Sequence, residues 1–178
     1  CAGPSSDHEI RVKQEAREKL RLGMTVDARE SSISQNLAEL IPALEGMHCP
    51  PNFTLCTDDR ESADLLNEGH MNHVVRRAIE EGLKPWEAIR YATLNSAKSI
   101  GLDRLGAVAP GYIADLVLLQ SLKEMKADSV FYRGKLVAQN GKITAEIEEK
   151  RYDLEEKNTV KLERLKAEDF KIYVNKNK

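Results

Sequence analysis

Residues 53–59, Phe53-Thr54-Leu55-Cys56-Thr57-Asp58-Asp59, combine a short β-prone run with two carboxylates that follow it directly. Such a run bounded by loop residues is typical of a short strand at 53–57. Upstream, residues 24–30 alternate apolar and polar side chains, which predicts a second strand. The polar segment that ends in Ser6-Asp7-His8-Glu9 lies just before a predicted helix, at the point where a preceding strand would end.

Helical patterns separate and follow these strands. Residues 10–22 place apolar side chains at four-residue spacing among charged ones, and Gly23 follows as a helix stop. Further helical segments are predicted at 37–44, 68–82, 84–92 and 95–100. Because strands alternate with helices from residue 5 to residue 101, the fold class is predicted to be α/β, with βα units on a parallel sheet.

Short antiparallel strands replace this pattern in the second half of the chain. Asn140-Gly141 is a strong two-residue hairpin signal, and Arg133-Gly134 separates another pair of β-prone runs. The predicted strands are 114–119, 130–132, 136–138 and 142–144. We therefore expect a domain boundary near residues 101–106, which assigns 1–104 to one domain and 105–178 to the other.

The charge-rich segment from Glu146 onward predicts a solvated stretch with a weak strand at Phe170–Val174.

Composition excludes several classes of protein. The chain has 27 basic and 29 acidic residues and a net charge of -2, which argues against nucleic-acid or anionic-membrane partners. We expect no membrane span and no signal peptide, because a long apolar run and a charged leader are both missing. Three cysteines without zinc-site spacing favour a reduced, cytoplasmic setting. The chain opens at Cys1 rather than at a Met, so we expect its start to be a cut.

Candidate metal ligands stand where predicted strands end. His8 follows the first strand end, and Asp58 and Asp59 follow the strand at 53–57. In a parallel α/β barrel these carboxyl ends converge on one mouth, where active sites form. Imidazole nitrogen and carboxylate oxygen both suit Zn, Mn or Fe, so the pattern indicates a divalent metal site.

Each of these residues also has a purely structural interpretation. His8 could be a surface residue beside Asp7, which could cap the following helix, and aspartates such as Asp58 are common where loops begin. His70 and His73 lie three apart on a predicted helix and would share a face as a solvated or packed pair. Cys56 lies inside a predicted strand and suits a small buried apolar residue better than a nucleophile.

Several stretches follow the motif order of one enzyme family. They are Ser6-Asp7-His8-Glu9, Ala28-Arg29-Glu30, Thr57-Asp58-Asp59-Arg60, Glu68-Gly69-His70 and the run Leu-Gly-Ala-Val-Ala-Pro-Gly-Tyr-Ile-Ala-Asp-Leu-Val at 105–117. The chain resembles the adenine deaminase family of the amidohydrolase superfamily over nearly its whole length. This resemblance implies strands six to eight of a (β/α)8 TIM-type barrel, followed by strands of a small β-sandwich and a charged C-terminal segment.

The resemblance also implies an activity and a site. The family hydrolyses adenine to hypoxanthine and ammonia in purine salvage, with a binuclear centre of Mn or Fe, Zn being possible, and a small-molecule purine as substrate. His8 would be the strand-six metal ligand, and Asp58 would be both the strand-eight ligand and the base for the attacking water. Glu9 would take part in catalysis. Asp59, Glu30 and His70 would contact the substrate or form hydrogen bonds to the metal ligands. A homo-oligomer is expected.

Two features depart from the family pattern. Residues 31–36, Ser-Ser-Ile-Ser-Gln-Asn, stand where the family usually has Gly-Ser-Ala-Ala-Arg-Asn. The family's early His-x-His pair, bridging carboxylate and strand-five His are missing from the sequence, and we expect them upstream of Cys1. The 178-residue chain alone is therefore expected to be inactive. The alternatives are another cyclic amidohydrolase or N-deacetylase, or a non-catalytic interaction domain.

Overall fold

The fold of the chain is known from a computed structural model, which describes residues 3–147 and 161–172. Contacts divide the chain into two compact units, residues 1–145 and 146–178. All seven described strands belong to the first unit. No described helix combines the length and apolar character that crossing a bilayer requires.

The first unit begins with a three-stranded parallel sheet. Its strands are β1 (Ser6–Asp7), β2 (Thr25–Arg29) and β3 (Phe53–Cys56), and they lie in the order β1-β2-β3. Asp7 pairs with Val26, and Val26 pairs with Phe53. The predicted βα order is confirmed, and the carboxyl ends of all three strands lie at one edge of the sheet.

Helices follow each of these strands. They are α1 (Lys13–Arg21), α2 (Leu37–Leu40) with a 3-10 turn at Ile41–Leu44, α3 (Ser62–Asn67), α4 (Met71–Glu80), α5 (Pro85–Arg90) with a π-helical turn at Tyr91–Asn95, and α6 (Ser96–Ser99). The helix predicted at 68–82 begins only at Met71. The sequence did not predict α3, since this described helix buries none of its residues and carries no apolar stripe.

The core lies between the parallel sheet and the helices. Val26 and Phe53 are fully buried on one face of the sheet. The Tyr91 ring meets the Phe53 ring edge-on, with ring centroids 5.0 Å apart. The Asn95 side-chain amide donates hydrogen bonds to the carbonyls of Pro50 and Phe53, both at 3.0 Å. The π-helical turn is thereby fixed to the start of β3.

A four-stranded antiparallel sheet forms the rest of the first unit. Its strands are β4 (Leu116–Leu119), β5 (Ala127–Tyr132), β6 (Lys135–Gln139) and β7 (Lys142–Ile143), in the order β4-β5-β6-β7. Arg133-Gly134 and Asn140-Gly141 form the two-residue turns, and all four residues have positive φ, as type I′ hairpin turns require. The predicted hairpins are confirmed, whereas the boundary at residues 101–106 stays a prediction.

The prediction of a strand at Phe170–Val174 is wrong for residues 170–172, which the structure describes. Ala167–Phe170 forms a 3-10 turn, and the two residues after it are not in a strand. The Lys166 N–H donates to Asp169 Oδ2 at 2.8 Å, and this capping hydrogen bond favours the turn over an extended strand at Phe170. The remainder of that prediction, 173–174, lies outside the described residues.

Gly106 allows a close approach between the chain and the π-helical turn. Its φ is +83°, and an added Cβ would lie 2.6 Å from the Leu94 nitrogen and 2.6 Å from the Thr93 carbonyl carbon. Both are backbone atoms, so they cannot move aside as a flexible side chain would. Gly106 is therefore required for its lack of a side chain as well as for its backbone conformation.

We expect Gly106→Ala to lower the free energy of unfolding by about 2–5 kcal/mol, from the left-handed backbone and the backbone clash together. The matched control is Gly101→Ala, where φ is +73° but a Cβ would meet no described atom within 4 Å. The control should lose only about 1–2 kcal/mol. Urea unfolding followed by circular dichroism measures both values. Equal losses in the two variants would contradict the close approach at Gly106.

Candidate active site

Three predicted site residues lie at the carboxyl edge of the parallel sheet. His8 and Glu9 directly follow β1, and Asp58 lies two residues beyond the end of β3. The His8 side chain is 53% exposed and the Asp58 side chain 22% exposed. An imidazole and a carboxylate that can both reach solvent at one sheet edge suit a ligand-binding or metal-binding role.

Arg29 at the end of β2 joins these residues. Its Nη2 donates to Glu9 Oε2 at 2.7 Å, and its Nη1 donates to Glu9 Oε1 at 3.1 Å and to Asp58 Oδ2 at 2.8 Å. His8 Nε2 lies 3.4 Å from Glu9 Oε1. The structure therefore joins His8, Glu9 and Asp58 through Arg29. We call these four residues the rim cluster.

Electrostatics keep Glu9 and Arg29 charged within the rim cluster. The hydrogen bonds from the Arg29 guanidinium hold the pKa of Glu9 below its usual range. Hydrogen bonds to Glu9 and then to Asp58 raise the pKa of Arg29 against the opposing effect of its burial. A cation between two carboxylates reduces their mutual repulsion, so both can lie at the same edge.

The backbone at Asp58 turns sharply out of β3. Its φ is +52°, in the left-handed region that aspartate tolerates better than most residues. The following residue, Asp59, accepts a hydrogen bond at its carbonyl from the Ser32 N–H at 3.0 Å. This bond ties the loop after β3 to the loop after β2, while the Asp59 side chain faces solvent.

Glu30 lies apart from the rim cluster, although it is adjacent to Arg29 in sequence. Successive side chains of a strand point to opposite faces, so Glu30 points toward α4. It is 2% exposed, and Arg77 Nε donates to its Oε1 at 3.2 Å. Arg77 also contacts Glu80 and Glu81 at 2.7 and 2.6 Å. Hydrogen bonds to Glu80, Glu30 and Glu81 raise the pKa of Arg77 despite its partial burial.

His70 and His73 do not share a helix face, so that interpretation of their spacing is wrong. The helix α4 begins only at Met71, which leaves His70 exposed at its N-cap with its N–H donating to Asn72 Oδ1 at 2.9 Å. The His73 side chain is mostly buried, and its ring lies 3.6 Å from Glu68 Oε2 and 3.1 Å from Arg76 Nη2. Burial lowers the pKa of His73. His70 is not brought into the rim cluster.

Sequence reasoning missed Arg29 as a member of the site. The signal was present, because an arginine in a strand whose neighbours are apolar needs acceptors if its side chain is buried. With Val26 and Ala28 directed toward the helices, Arg29 must point to the opposite face of β2. Its partners could not be identified without the order of the three strands.

Comparison with known sequences places the chain in a family. The sequence profile of the Amidohydrolase family matches residues 5–137. The chain belongs to the amidohydrolase family. The resemblance to adenine deaminases is also confirmed. The adenine deaminase of Kosmotoga olearia is 41% identical over 172 residues, adenine deaminase 3 of Rhizobium meliloti 44% over 175, and the adenine deaminase of Desulforamulus reducens 47% over 163.

The matches extend over most of this chain but little of the relatives. They cover 97%, 97% and 90% of the chain, and 30%, 29% and 28% of the three relatives. The chain thus spans about 30% of the length of the curated amidohydrolases it matches.

Solved structures confirm an amidohydrolase-type α/β fold. The β-aspartyl dipeptidase of Fervidobacterium islandicum AW-1 superposes with a TM-score of 0.63 at 18% identity, covering 83% of this chain and 44% of that one. An amidohydrolase from Thermotoga maritima MSB8 gives a TM-score of 0.56 at 18% identity, covering 72% and 35%. At this level of identity the likeness concerns the fold and not the reaction.

The rim cluster fits an amidohydrolase metal site in the type of its donors. His8 offers an imidazole nitrogen and Asp58 a carboxylate oxygen, which Zn, Mn and Fe all accept. Within residues 3–147 and 161–172, however, no group of three or more His, Cys, Asp or Glu side chains is arranged to hold an ion. His8 and Asp58 are two donors of suitable type, and a catalytic site usually has at least three protein ligands.

Cys56, inside β3, adds no third donor to His8 and Asp58. Burial, with the nearby carboxylates Asp27 and Asp58, raises the pKa of its thiol to about 12. A thiol with this pKa is protonated at neutral pH, and it is the thiolate that binds metals and attacks substrates. Cys56 is half-buried rather than buried, and its raised pKa agrees with the interpretation from the sequence that it is not a nucleophile.

Proposed function

We propose that this chain is part of a metal-dependent adenine deaminase, which hydrolyses adenine to hypoxanthine and ammonia in purine salvage. The observation that carries the proposal is 38–47% identity to adenine deaminases over most of the chain. The position of the rim cluster supports it, because active sites of α/β barrels form at the carboxyl ends of their strands. The substrate would be a small purine.

In this proposal His8 and Asp58 hold a divalent ion, Mn or Fe with Zn as the alternative, of a binuclear pair. Their remaining partners would lie outside these 178 residues. When bound, the ion acts as a Lewis acid and makes water a nucleophile at neutral pH. The His8 side chain is 53% exposed and the Asp58 side chain 22% exposed, which supports this role.

Asp58 would carry the proton in the reaction. It takes a proton from the attacking water, whose oxygen forms a bond to the ring carbon that bears the amine while the π electron pair of that carbon's double bond moves onto the ring nitrogen. This pair then re-forms the double bond as the bond from the carbon to the amine nitrogen breaks, and Asp58 delivers its proton to the amine, which leaves as ammonia and leaves the hydroxyl tautomer of hypoxanthine. Arg29 would keep Asp58 at the edge of the sheet, and Glu9, which shares the Arg29 guanidinium with Asp58, would take part in catalysis. Asp59, Glu30 and His70 would support the site from farther away.

The finer architecture and setting belong to the same proposal. Residues 1–104 would form strands six to eight of a (β/α)8 barrel, and residues 105–178 would form part of a small β-sandwich and the charged C-terminal segment. The parallel and antiparallel sheets are the support for this division. A cytoplasmic homo-oligomer completes the proposal.

The test is turnover by the full-length protein and by the 178-residue chain, each supplied with Mn²⁺. Loss of adenine, followed by its ultraviolet absorbance, is expected for the full-length protein and not for the chain alone, because the chain has only a partial ligand set. A panel of cyclic amides and N-acetylated amines provides the comparison. Turnover of another panel member without any loss of adenine would overturn the proposal. Turnover of adenine by the 178-residue chain alone would contradict the claim that the chain lacks some of the metal ligands.

A further inference from the structure

Arg29 has an environment that a purely structural arginine would not need. Its side chain is 5% exposed, and it lies on the middle strand between the two strands that carry His8 and Asp58. Burial of the Arg29 charge costs desolvation energy that offsets its attraction to a carboxylate, and the Glu9 side chain is 61% exposed, where an ion pair adds little stability. Stability alone is therefore a weak reason for a guanidinium at this position.

The guanidinium of Arg29 is oriented toward its two carboxylate partners, and this orientation leaves one of its N–H groups without an acceptor in the described part of the chain. Both terminal nitrogens of Arg29 contact Glu9, and one of them also contacts Asp58. Its Nε is buried without a partner among the described residues. A forked contact of this kind fixes the direction of a carboxylate as well as its charge.

Asp58 depends on this contact for its position. With φ at +52°, its backbone has left the hydrogen-bonded ladder that holds β3. Arg29 holds Oδ2 at 2.8 Å, and the other carboxylate oxygen is left for a further ligand. The side chain of Asp58 is thus oriented from the neighbouring strand rather than by its own.

We propose that Arg29 is a positioning residue, which holds the Asp58 carboxylate in the direction needed to bind the divalent ion at the carboxyl edge and fixes Glu9 beside it. The inference rests on the proposed function for the presence of that ion. It adds that the geometry of the ligand depends on β2, a strand that supplies no ligand of its own in the proposed site. Hydrogen-bond partners of metal ligands act in this way in other metal sites.

The test uses the metal-free full-length protein with Mn²⁺ as the probe and follows binding by electron paramagnetic resonance. Arg29→Met should weaken Mn²⁺ binding by about 10- to 100-fold, the usual effect of removing the partner of a ligand. Arg29→Lys keeps the charge but loses the fork, so its affinity should lie between those of the wild type and the Met variant.

The matched control is Arg17→Met on α1, where Arg17 Nη1 donates to the Ala43 and Glu45 carbonyls at 3.0 and 2.7 Å. This variant also removes an arginine with two acceptors, but it leaves the rim cluster intact. Its Mn²⁺ affinity should equal that of the wild type. If Arg29→Met does not fold, as thermal unfolding would reveal, the Arg29→Lys variant decides the outcome.

The outcomes separate this inference from the proposed function. Wild-type Mn²⁺ affinity in the Arg29 variants overturns the positioning role, and tighter binding overturns it in favour of competition between Arg29 and the ion. In either case adenine turnover by the wild type leaves the proposed function standing. Weaker Mn²⁺ binding in the Arg29 variants, together with a wild type that does not consume adenine, supports the positioning role. The same result rejects adenine as the substrate.

Discussion

Asp58→Asn is expected to lower kcat for adenine in the full-length protein by about 10³-fold or more. The substitution keeps the size of the side chain but removes its charge and its capacity to carry a proton, and general acid-base catalysis alone contributes about 10²–10⁴-fold. Weaker metal binding adds to the loss, because an amide is a poorer ligand than a carboxylate for Mn or Fe. Initial rates at saturating adenine and Mn²⁺ measure the effect.

The comparison variant is Asp59→Asn, which makes the same chemical change one residue along the chain. The Asp59 side chain faces solvent. Its hydrogen bond from the Ser32 N–H is accepted by the backbone carbonyl, which the substitution leaves in place. A much smaller loss of kcat is therefore expected. Retention of most of the activity in Asp58→Asn would remove Asp58 from the reaction, whatever the result for Asp59.

Tyr91→Ala is expected to have the largest effect on stability. Tyr91 is 1% exposed, and its ring packs edge-on against Phe53 at the start of β3. Removal of a buried aromatic side chain leaves a cavity and should lower the free energy of unfolding by about 3–5 kcal/mol. Urea unfolding with circular dichroism detection gives the value.

Tyr132→Ala serves as the control for Tyr91. Tyr132 ends β5 and is 56% exposed, so the same truncation should change the free energy of unfolding by only about 0.5 kcal/mol. Equal losses in the two variants would show that the π-helical turn does not carry the core contact assigned to it.

The sequence predicts the elements of this fold where local pattern and burial agree. The apolar alternation of β2 and the Asn140-Gly141 turn each determine their own structure, and both are confirmed. Local pattern fails for α3, whose described residues are all at least partly exposed. It also fails for the π-helical turn, because the contact of Asn95 with β3 connects segments about 40 residues apart in the sequence.

The candidate site was predicted in part for a similar reason. His8 and Asp58 follow strands, and a parallel sheet necessarily places such residues at one edge. Strand alternation also indicates that Arg29 and Glu30 point in opposite directions, which the sequence analysis did not use. The bridge from Arg29 to Glu9 and Asp58 depends on the strand order, which no local pattern contains.

The central claim is that the ends of β1 and β3 place His8 and Asp58 on one divalent ion. The most direct measurement is a crystal structure of the full-length protein grown with Mn²⁺, with anomalous scattering recorded at the manganese edge. We expect an anomalous peak about 2.0–2.3 Å from both a His8 ring nitrogen and an Asp58 carboxylate oxygen. A manganese peak bound by other residues, with His8 and Asp58 both out of contact, would contradict it.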